Sequence, residues 1–271
     1  MNTDTGSHIP TGPTARRPVQ ARQLSARVVS TAQVMPGVYL LWLWAPYITE
    51  LCTPGQFVMV RCGGGLEPLL RRPLSIHRTA SEEQIALLFS VVGRGTFLLS
   101  QQPEGGEVDL LGPLGNGFSL DSGSRRVLLI AGGMGIAPLV FLADEAARRG
   151  LEVVLLMGAA TADCLYPGSL LPSSVTVVKA TEDGSAGRRG QVTDVIDGPA
   201  GQADQVFACG PMSMYQAMIA RESLRGRSVQ VSLEVAMACG LGACYGCSIK
   251  TRKGLRQVCR DGPVFELEDL F

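Results

Sequence analysis

Four cysteines crowd the C-terminal end of the chain in the pattern Cys239-x4-Cys244-x2-Cys247-x11-Cys259. The first three, in Cys239-Gly-Leu-Gly-Ala-Cys-Tyr-Gly-Cys247, have the spacing by which thiolates grip a [2Fe–2S] cluster, and a fourth completes two tetrahedral irons. Gly240, Gly242 and Gly246 lack a Cβ, so the backbone can wrap a small inorganic core and aim amide N–H groups at its sulfurs. A structural zinc site also takes four cysteines. Its usual layout is two separated pairs, whereas this one is three plus one. The remaining cysteines (Cys52, Cys62, Cys164, Cys209) are scattered. A secreted disulfide framework would be shorter and more evenly studded, so a cytoplasmic location is expected.

The cysteine stretch ends a chain of 271 residues, 46% of them hydrophobic, with zero formal net charge. There is material for two packed domains and no basic excess to favour nucleic acid. No apolar stretch approaches the roughly 18–20 residues that span a bilayer, so no membrane partner is expected. Residues 1–22 carry Ser, Thr, Pro and Arg without an apolar signal core, and read as a flexible tail.

From Gln23 to Asp121 short apolar runs alternate with Gly and Pro. Gly37–Trp44, Gln56–Val60, Ile85–Val92 and Val108–Leu111 predict an all-β antiparallel barrel or sandwich, with one short helix over Thr96–Gln101. Beyond Arg126 the runs become wholly apolar: Val127–Ala131, Val153–Met157, Val175–Lys179 and Gln205–Cys209. Helical stretches fall between them, at Ala137–Arg149 and from Pro211 to about Leu224. Apolar strands alternating with helices predict an α/β domain with a parallel sheet covered on both faces. The expected division is a tail at 1–22, a β-barrel at 23–122, an α/β nucleotide domain at 123–235, and a small cysteine-rich segment at 236–271.

Two turns at strand ends carry glycine. Ile130-Ala-Gly-Gly-Met-Gly-Ile-Ala-Pro-Leu139 joins a strand to a helix, and Ala208-Cys-Gly-Pro-Met-Ser-Met214 follows a later strand. Turns at the carboxyl ends of parallel strands form the ligand crevice of such sheets, and glycine lets a phosphate-bearing ligand approach the backbone. Cys209 is a candidate to touch a nicotinamide ring, or else a small buried thiol. In the barrel, Arg72-Pro-Leu-Ser75 is placed between two strands, where an arginine could pair with a phosphate.

The order of these motifs, together with Gly93-Arg-Gly-Thr96 and Gly112-Pro-Leu-Gly-Asn-Gly-Phe118, resembles the ferredoxin–NADP reductase superfamily. Within it the chain is most similar to the electron-transfer subunits of class 1B dihydroorotate dehydrogenases. The endings agree too: Glu234-Val-Ala-Met-Ala-Cys239, then Val258-Cys-Arg-Asp-Gly-Pro-Val-Phe265. The resemblance implies FAD on Arg72, Pro73, Leu74 and Ser75, along Leu88, Phe89 and Ser90, and with its pyrophosphate at Gly95 and Thr96. It implies NAD as co-substrate at Gly132, Gly133, Gly135, Cys209, Gly210 and Pro211, and a [2Fe–2S] cluster on Cys239, Cys244, Cys247 and Cys259. Phe89-Ser90 departs from the family's Tyr-Arg and removes a cation near the flavin. Asp183 reads more readily as a turn residue than as a nucleotide contact.

The resemblance further implies an FMN-containing dihydroorotate dehydrogenase catalytic subunit as partner, two of each chain forming a heterotetramer. Electrons would run from dihydroorotate through the cluster and FAD to NAD. Two rivals stand beside this reading: a flavin and iron–sulfur subunit of a hydrogenase or other multi-subunit reductase, and a non-catalytic zinc module. His8 and His77, the two histidines of the chain, suggest no general acid or base.

Overall fold

The computed structural model describes residues 20–65, 67–81 and 83–271. Most of the expected tail, and His8 with it, lies outside them. The first strand already begins at Arg22, whose guanidinium stacks over the Tyr47 ring at 4.4 Å.

Six strands close into an antiparallel barrel: β1 (Arg22–Met35), β2 (Val38–Trp44), β3 (Phe57–Val60), β4 (Arg72–Ala80), β5 (Gln84–Ser90) and β6 (Glu107–Leu114), in the order β1-β2-β5-β4-β3-β6. Closure leaves no free edge, and inward-facing Leu41, Leu43, Val58, Val60, Ile76 and Leu87 fill the interior. Two short helices fall between the strands, α1 (Pro46–Leu51) and α2 (Arg94–Ser100). The helix expected at Thr96–Gln101 therefore starts two residues earlier, and α1 has no counterpart in the sequence reading. Arg72–Ser75 is not a connector between strands. It is the first half of β4, paired with Phe57–Val60 of β3. Its half-buried side chains give none of the apolar alternation by which a strand is recognised.

A seven-stranded sheet follows. Its members are β7 (Arg126–Gly132), β8 (Glu152–Ala159), β9 (Val175–Thr181), β10 (Arg188–Arg189), β11 (Gln205–Cys209), β12 (Val229–Ser232) and, after a hairpin of β13 (Ser248–Thr251) with β14 (Gly254–Gln257), β15 (Val264–Glu266). The order is β10-β9-β8-β7-β11-β12-β15. All pairs are parallel except the last, where β15 runs antiparallel to β12 with Val231 opposite Phe265. The helices are α3 (Ile136–Arg148), α4 (Asp197–Gln202), α5 (Met212–Ile219), α6 (Val258–Asp261) and α7 (Leu267–Leu270). The helix expected to reach Leu224 stops at Ile219, and a separate 3-10 turn carries the chain through Glu222–Leu224.

The cysteine-rich segment is thus woven into the sheet by its last strand. It is also packed on the barrel. One buried apolar cluster joins Phe57, Met59 and Leu114 of the barrel to Val231 of the sheet and to Cys247, Val258 and Cys259. The Gly112–Phe118 motif makes this seam. Asn116 N–H donates to the Gly262 carbonyl at 2.6 Å, and its side-chain amide donates to the carbonyls of Arg260 and Asp261. Gly115 is left-handed (φ 73°), and a Cβ there would stand 2.6 Å from Pro263, so the close approach needs glycine.

Candidate functional site

Three sites lie along the seams of this fold. The first is the outer face of β4 and the start of α2. The Arg72 guanidinium donates to the Leu70 carbonyl at 2.6 Å and lies against Gly95, where a Cβ would come within 3.1 Å of its Nε. Gly95 therefore lets a fixed cation approach the amides that open α2. Thr96 is buried, and its hydroxyl accepts from the N–H of Val92 and of Gly93 and donates to the Gly93 carbonyl. The hydroxyl shapes the loop and is not free for a ligand. Leu69 and Leu70, just before Arg72 in the chain, and Val92 and Phe97, flanking Gly95, are all at least half exposed. A cation at the opening of α2 with uncovered apolar residues close by in the chain suits a flat, dianionic cofactor such as FAD. Pro73, Leu74 and Ser75 are half-buried along the same strand, as is Ser90 on β5. Leu88 and Phe89 are buried in cores, with Phe89 stacked on Tyr39, so their side chains do not reach the surface.

The second site is a crevice of about 250 Å³ at the carboxyl end of the sheet, where Gly132, Gly133 and Pro211 meet Gly158, Glu182 and Thr193. The two glycine turns interlock. A Cβ on Gly135 would fall 1.9 Å from the Cys209 carbonyl, and one on Gly210 would strike Met214 and approach Gly132. Gly133, left-handed at φ 55°, is exposed to the crevice. Cys209 is fully buried with its thiol 3.8 Å from a Glu234 carboxylate oxygen. Burial first, and that carboxylate second, push the thiol well up from its ordinary range. Glu234 keeps an open face to solvent, yet crowding by the surrounding chain raises its carboxyl. Tyr215 completes this strand end, taking the Gly210 N–H and donating to the Ser232 carbonyl at 2.7 Å. Asp183 accepts from the N–H and hydroxyl of Ser185 and is a turn residue, as the sequence suggested.

The third site is the cysteine loop. Each of its four sulfurs faces at least one backbone amide: Leu241 N–H on Cys239 at 3.4 Å, Gly246 on Cys244 at 3.5 Å, Cys259 on Cys247 at 3.4 Å, and Gly242 on Cys259 at 3.2 Å. The thiols fall in two pairs. Cys247 and Cys259 are buried with sulfurs 3.3 Å apart, while Cys244 interacts with Cys239 nearer the surface. Burial raises the Cys239 thiol, but the amides of Leu241, Cys244 and Ala243 outweigh it and hold it down to about 6. Burial and the Cys247 thiol push Cys259 up to about 12. Among the described residues no three His, Cys, Asp or Glu side chains converge on one ion. Two thiolate pairs with an amide to each sulfur suit a two-iron, sulfide-bridged cluster.

Backbone geometry makes the loop. Gly240 and Gly242 are left-handed (φ 71° and 80°), and so is Tyr245 (φ 59°), an exposed non-glycine held in a conformation that costs about 1–2 kcal/mol. The sequence reading did not single out Glu182 or Glu234 as site residues. Glu182 follows the strand β9 and is the one charged side chain among the described residues lining the crevice. Glu234 was visible only as the first residue of the cysteine motif.

A closed antiparallel barrel, a parallel sheet with paired glycine turns, and a four-thiol loop bridging the two define a flavin- and nicotinamide-dependent reductase of the ferredoxin–NADP reductase type. A solved NADH-dependent reduced ferredoxin–NADP oxidoreductase, studied for flavin-based electron bifurcation, superposes with a TM-score of 0.81 at 31% identity, covering 91% of this chain and 89% of that one. Residues 234–271 match the model of the iron–sulfur cluster binding domain of dihydroorotate dehydrogenase B. The electron transfer subunit of dihydroorotate dehydrogenase B (NAD(+)) from Geobacillus thermodenitrificans is 41% identical over 245 residues, 88% of this chain and 94% of that protein. Its counterpart from Desulforamulus reducens is 40% identical over 256 residues, 90% and 97% respectively. The chain belongs to the family of dihydroorotate dehydrogenase B electron transfer subunits.

Proposed function

We propose that this chain takes electrons from an FMN-containing, dihydroorotate-oxidising subunit and delivers them to NAD, in the cytoplasm, as part of pyrimidine biosynthesis. Two copies of each subunit form the complex. The observation that carries this reading is the seam between the first and third sites. Gly240, next to Cys239, lies against Met59 of β3, and Met59 pairs directly with Pro73 of β4. The cysteine loop and the strand assigned to the flavin are thereby separated by one layer of packed atoms. Among the described residues no helix is long and apolar enough to cross a membrane.

In this reading Arg72 and the amides at Gly95 and Thr96 hold the FAD pyrophosphate, with Thr96 acting through its backbone. Pro73, Leu74 and Ser75 bed the ring, and Leu88, Phe89 and Ser90 support it, Leu88 and Phe89 from within the core. Phe89 is buried, so the departure at that position leaves the flavin face unchanged, and the family's missing cation is at half-buried Ser90. Gly132, Gly133, Gly135, Gly210 and Pro211 admit NAD, with Cys209 filling the strand end beneath it. Cys239, Cys244, Cys247 and Cys259 hold the [2Fe–2S] cluster, and their four amides offset the charge added on reduction. FAD, when bound, exchanges hydride with nicotinamide and single electrons with the cluster. The protein's share is to keep the three sites in fixed order. Residues 23–122, 123–235 and 236–271 then act as flavin, nucleotide and cluster units.

The test is a visible spectrum with flavin, iron and sulfide quantitation, followed by NADH-dependent dye reduction. The isolated chain should reduce dyes with NADH and leave dihydroorotate untouched. A chain carrying flavin and iron that reduces no dye would overturn the reading. The likeness to a ferredoxin–NADP oxidoreductase favours a second one, membership of another multi-subunit reductase. Affinity capture decides between them: a dihydroorotate-oxidising partner supports the first, a different reductase subunit the second.

A further inference from the structure

His77 is fully buried, and neither the flavin site nor the nicotinamide site as assigned above uses it. It stands at an irregularity of β4. Ile76 pairs with Leu87 and Arg78 with Ala86, so His77 is the extra residue of a β-bulge. A bulge re-aims a side chain out of the regular alternation. Here the imidazole leaves the barrel and enters the seam with the nucleotide sheet. Its Nδ1 lies 2.8 Å from the carbonyl oxygen of Ala137, in the first turn of α3, and its Nε2 lies 2.9 Å from the Tyr166 hydroxyl. The Tyr166 ring meets the imidazole edge-on, with centroids 5.4 Å apart. A carbonyl can only accept, so Nδ1 carries the proton. Nε2 is then an acceptor, and Tyr166 donates.

The anchoring points matter more than the bonds. Ser75 is two residues before His77 on the strand assigned to the flavin. Ala137 is two residues past Gly135, the last glycine of the turn assigned to the nicotinamide nucleotide. Tyr166 lines a small void beside Gly133 and Ile136 of that same turn. One side chain thus ties the flavin strand to the nicotinamide turn, and to the loop beneath it. The next residue repeats the direction of the tie: Arg78 donates to both Asp144 carboxylate oxygens on α3, at 2.6 and 2.9 Å.

We propose that His77 is a positioning residue for hydride transfer, fixing the spacing between the flavin strand β4 and the glycine turn before α3. This rests on the assignment of those two sites given above. Hydride transfer is steep in distance, and a misplacement of about 1 Å can cost roughly 100-fold in rate. Affinity for the nucleotide depends on contacts within the sheet and is much less sensitive to where the barrel stands.

The experiment compares the flavin- and iron-loaded wild type with His77→Phe, His77→Gln and Tyr166→Phe. Anaerobic rapid mixing with NADH separates the dissociation constant from the limiting rate of flavin reduction. The expected result is a limiting rate lowered about 10- to 100-fold in His77→Phe, with the NADH dissociation constant and flavin content unchanged. Tyr166→Phe removes one bond without adding volume and should fall between. His77→Gln, which can both donate and accept, should recover part of the loss. Two readouts do not depend on turnover. The long-wavelength absorbance of the reduced flavin–NAD complex should weaken, and amide exchange at residues 136–141 should quicken in the cofactor-free chain. Unchanged limiting rates in both His77→Phe and Tyr166→Phe would overturn the proposal. So would losses that simply track lost flavin. If His77→Phe does not fold, Tyr166→Phe and His77→Gln decide the matter by the same criteria. A wild type that fails to reduce its flavin with NADH would count against the proposed function itself.

Discussion

Replacing Gly240 with alanine probes the contact on which the cluster loop rests. Gly240 has φ +71°, and an ideal Cβ there would lie 2.5 Å from Met59 Cγ and 2.9 Å from its sulfur. Two costs follow. A non-glycine residue in the left-handed region costs about 1–2 kcal/mol. Forcing a methyl group into packed atoms costs about 1–3 kcal/mol more, because Met59 is fully buried and hemmed in by Pro73 and Leu111 across the strands. Gly240→Ala should therefore lose about 2–5 kcal/mol, a drop in melting temperature of roughly 5–15 °C for a chain of this size. Denaturant unfolding of the iron-loaded protein measures it, with iron content followed along the same titration. The two costs can be separated. In Met59→Ala/Gly240→Ala the clash is gone and the left-handed cost remains, so the double variant should be more stable than the sum of the singles predicts, by about 1–3 kcal/mol. A Gly240→Ala protein with wild-type stability, or a cycle with no coupling, would refute the argument that barrel and cluster loop meet in rigid contact.

Acid should weaken the seam at His77. Burial is the main cause that pushes its pKa down to about 4, from an ordinary 6.5, and the neighbouring Arg78 adds to it against the favourable Ala137 carbonyl. The unfolded chain then takes up the proton first, so this stability is complete above pH 6.5 and is lost as pH falls toward 4, to a total of about 3 kcal/mol. Urea titrations from pH 7 to 4.5 should show a steeper loss in wild type than in His77→Gln. Thr96→Val removes the acceptor for two loop amides and should cost about 1–3 kcal/mol, with weaker flavin retention by fluorescence. Cys259→Ser should abolish iron retention, measured by elemental analysis, while bound flavin remains. Glu182→Ala should shift the NADH-to-NADPH rate ratio toward NADPH by about tenfold, since an acidic side chain at this strand end favours a free ribose 2′-hydroxyl; an unchanged ratio would remove Glu182 from nucleotide recognition.

What the sequence disclosed depended on how local the signal was. The cysteine spacing needs only a few residues of chain to be read, and the apolar runs of β7, β8 and β11 announce themselves because strands buried on both faces need no alternation. Arg72–Ser75 was located as a motif but not as a strand, because its half-buried pattern carries no period of two. Asn116 and Gly115 were legible as a glycine motif, yet their purpose is to meet Gly262 and Pro263, a pairing set by the tertiary fold. His77 looked ordinary for a similar reason. Its importance comes from a bulge that depends on the register of the neighbouring strand, and from partners on two distant segments. Glu234 and Cys209 likewise become neighbours only when β11 and β12 lie side by side.

The pairing of β15 with β12 has a consequence for the life history of the cluster. The chain leaves the sheet at Ser232, passes through all four cysteines, and returns opposite Ser232 at Val264. The metal-binding loop is thus zipped shut at its base by the protein itself, with Cys244 outermost. A cluster destroyed by oxygen would leave behind a loop whose ends cannot drift apart, with Cys247 and Cys259 still held side by side. Repair then becomes a matter of refilling a standing site and not of refolding a segment, with Cys244 the most exposed of its four thiols.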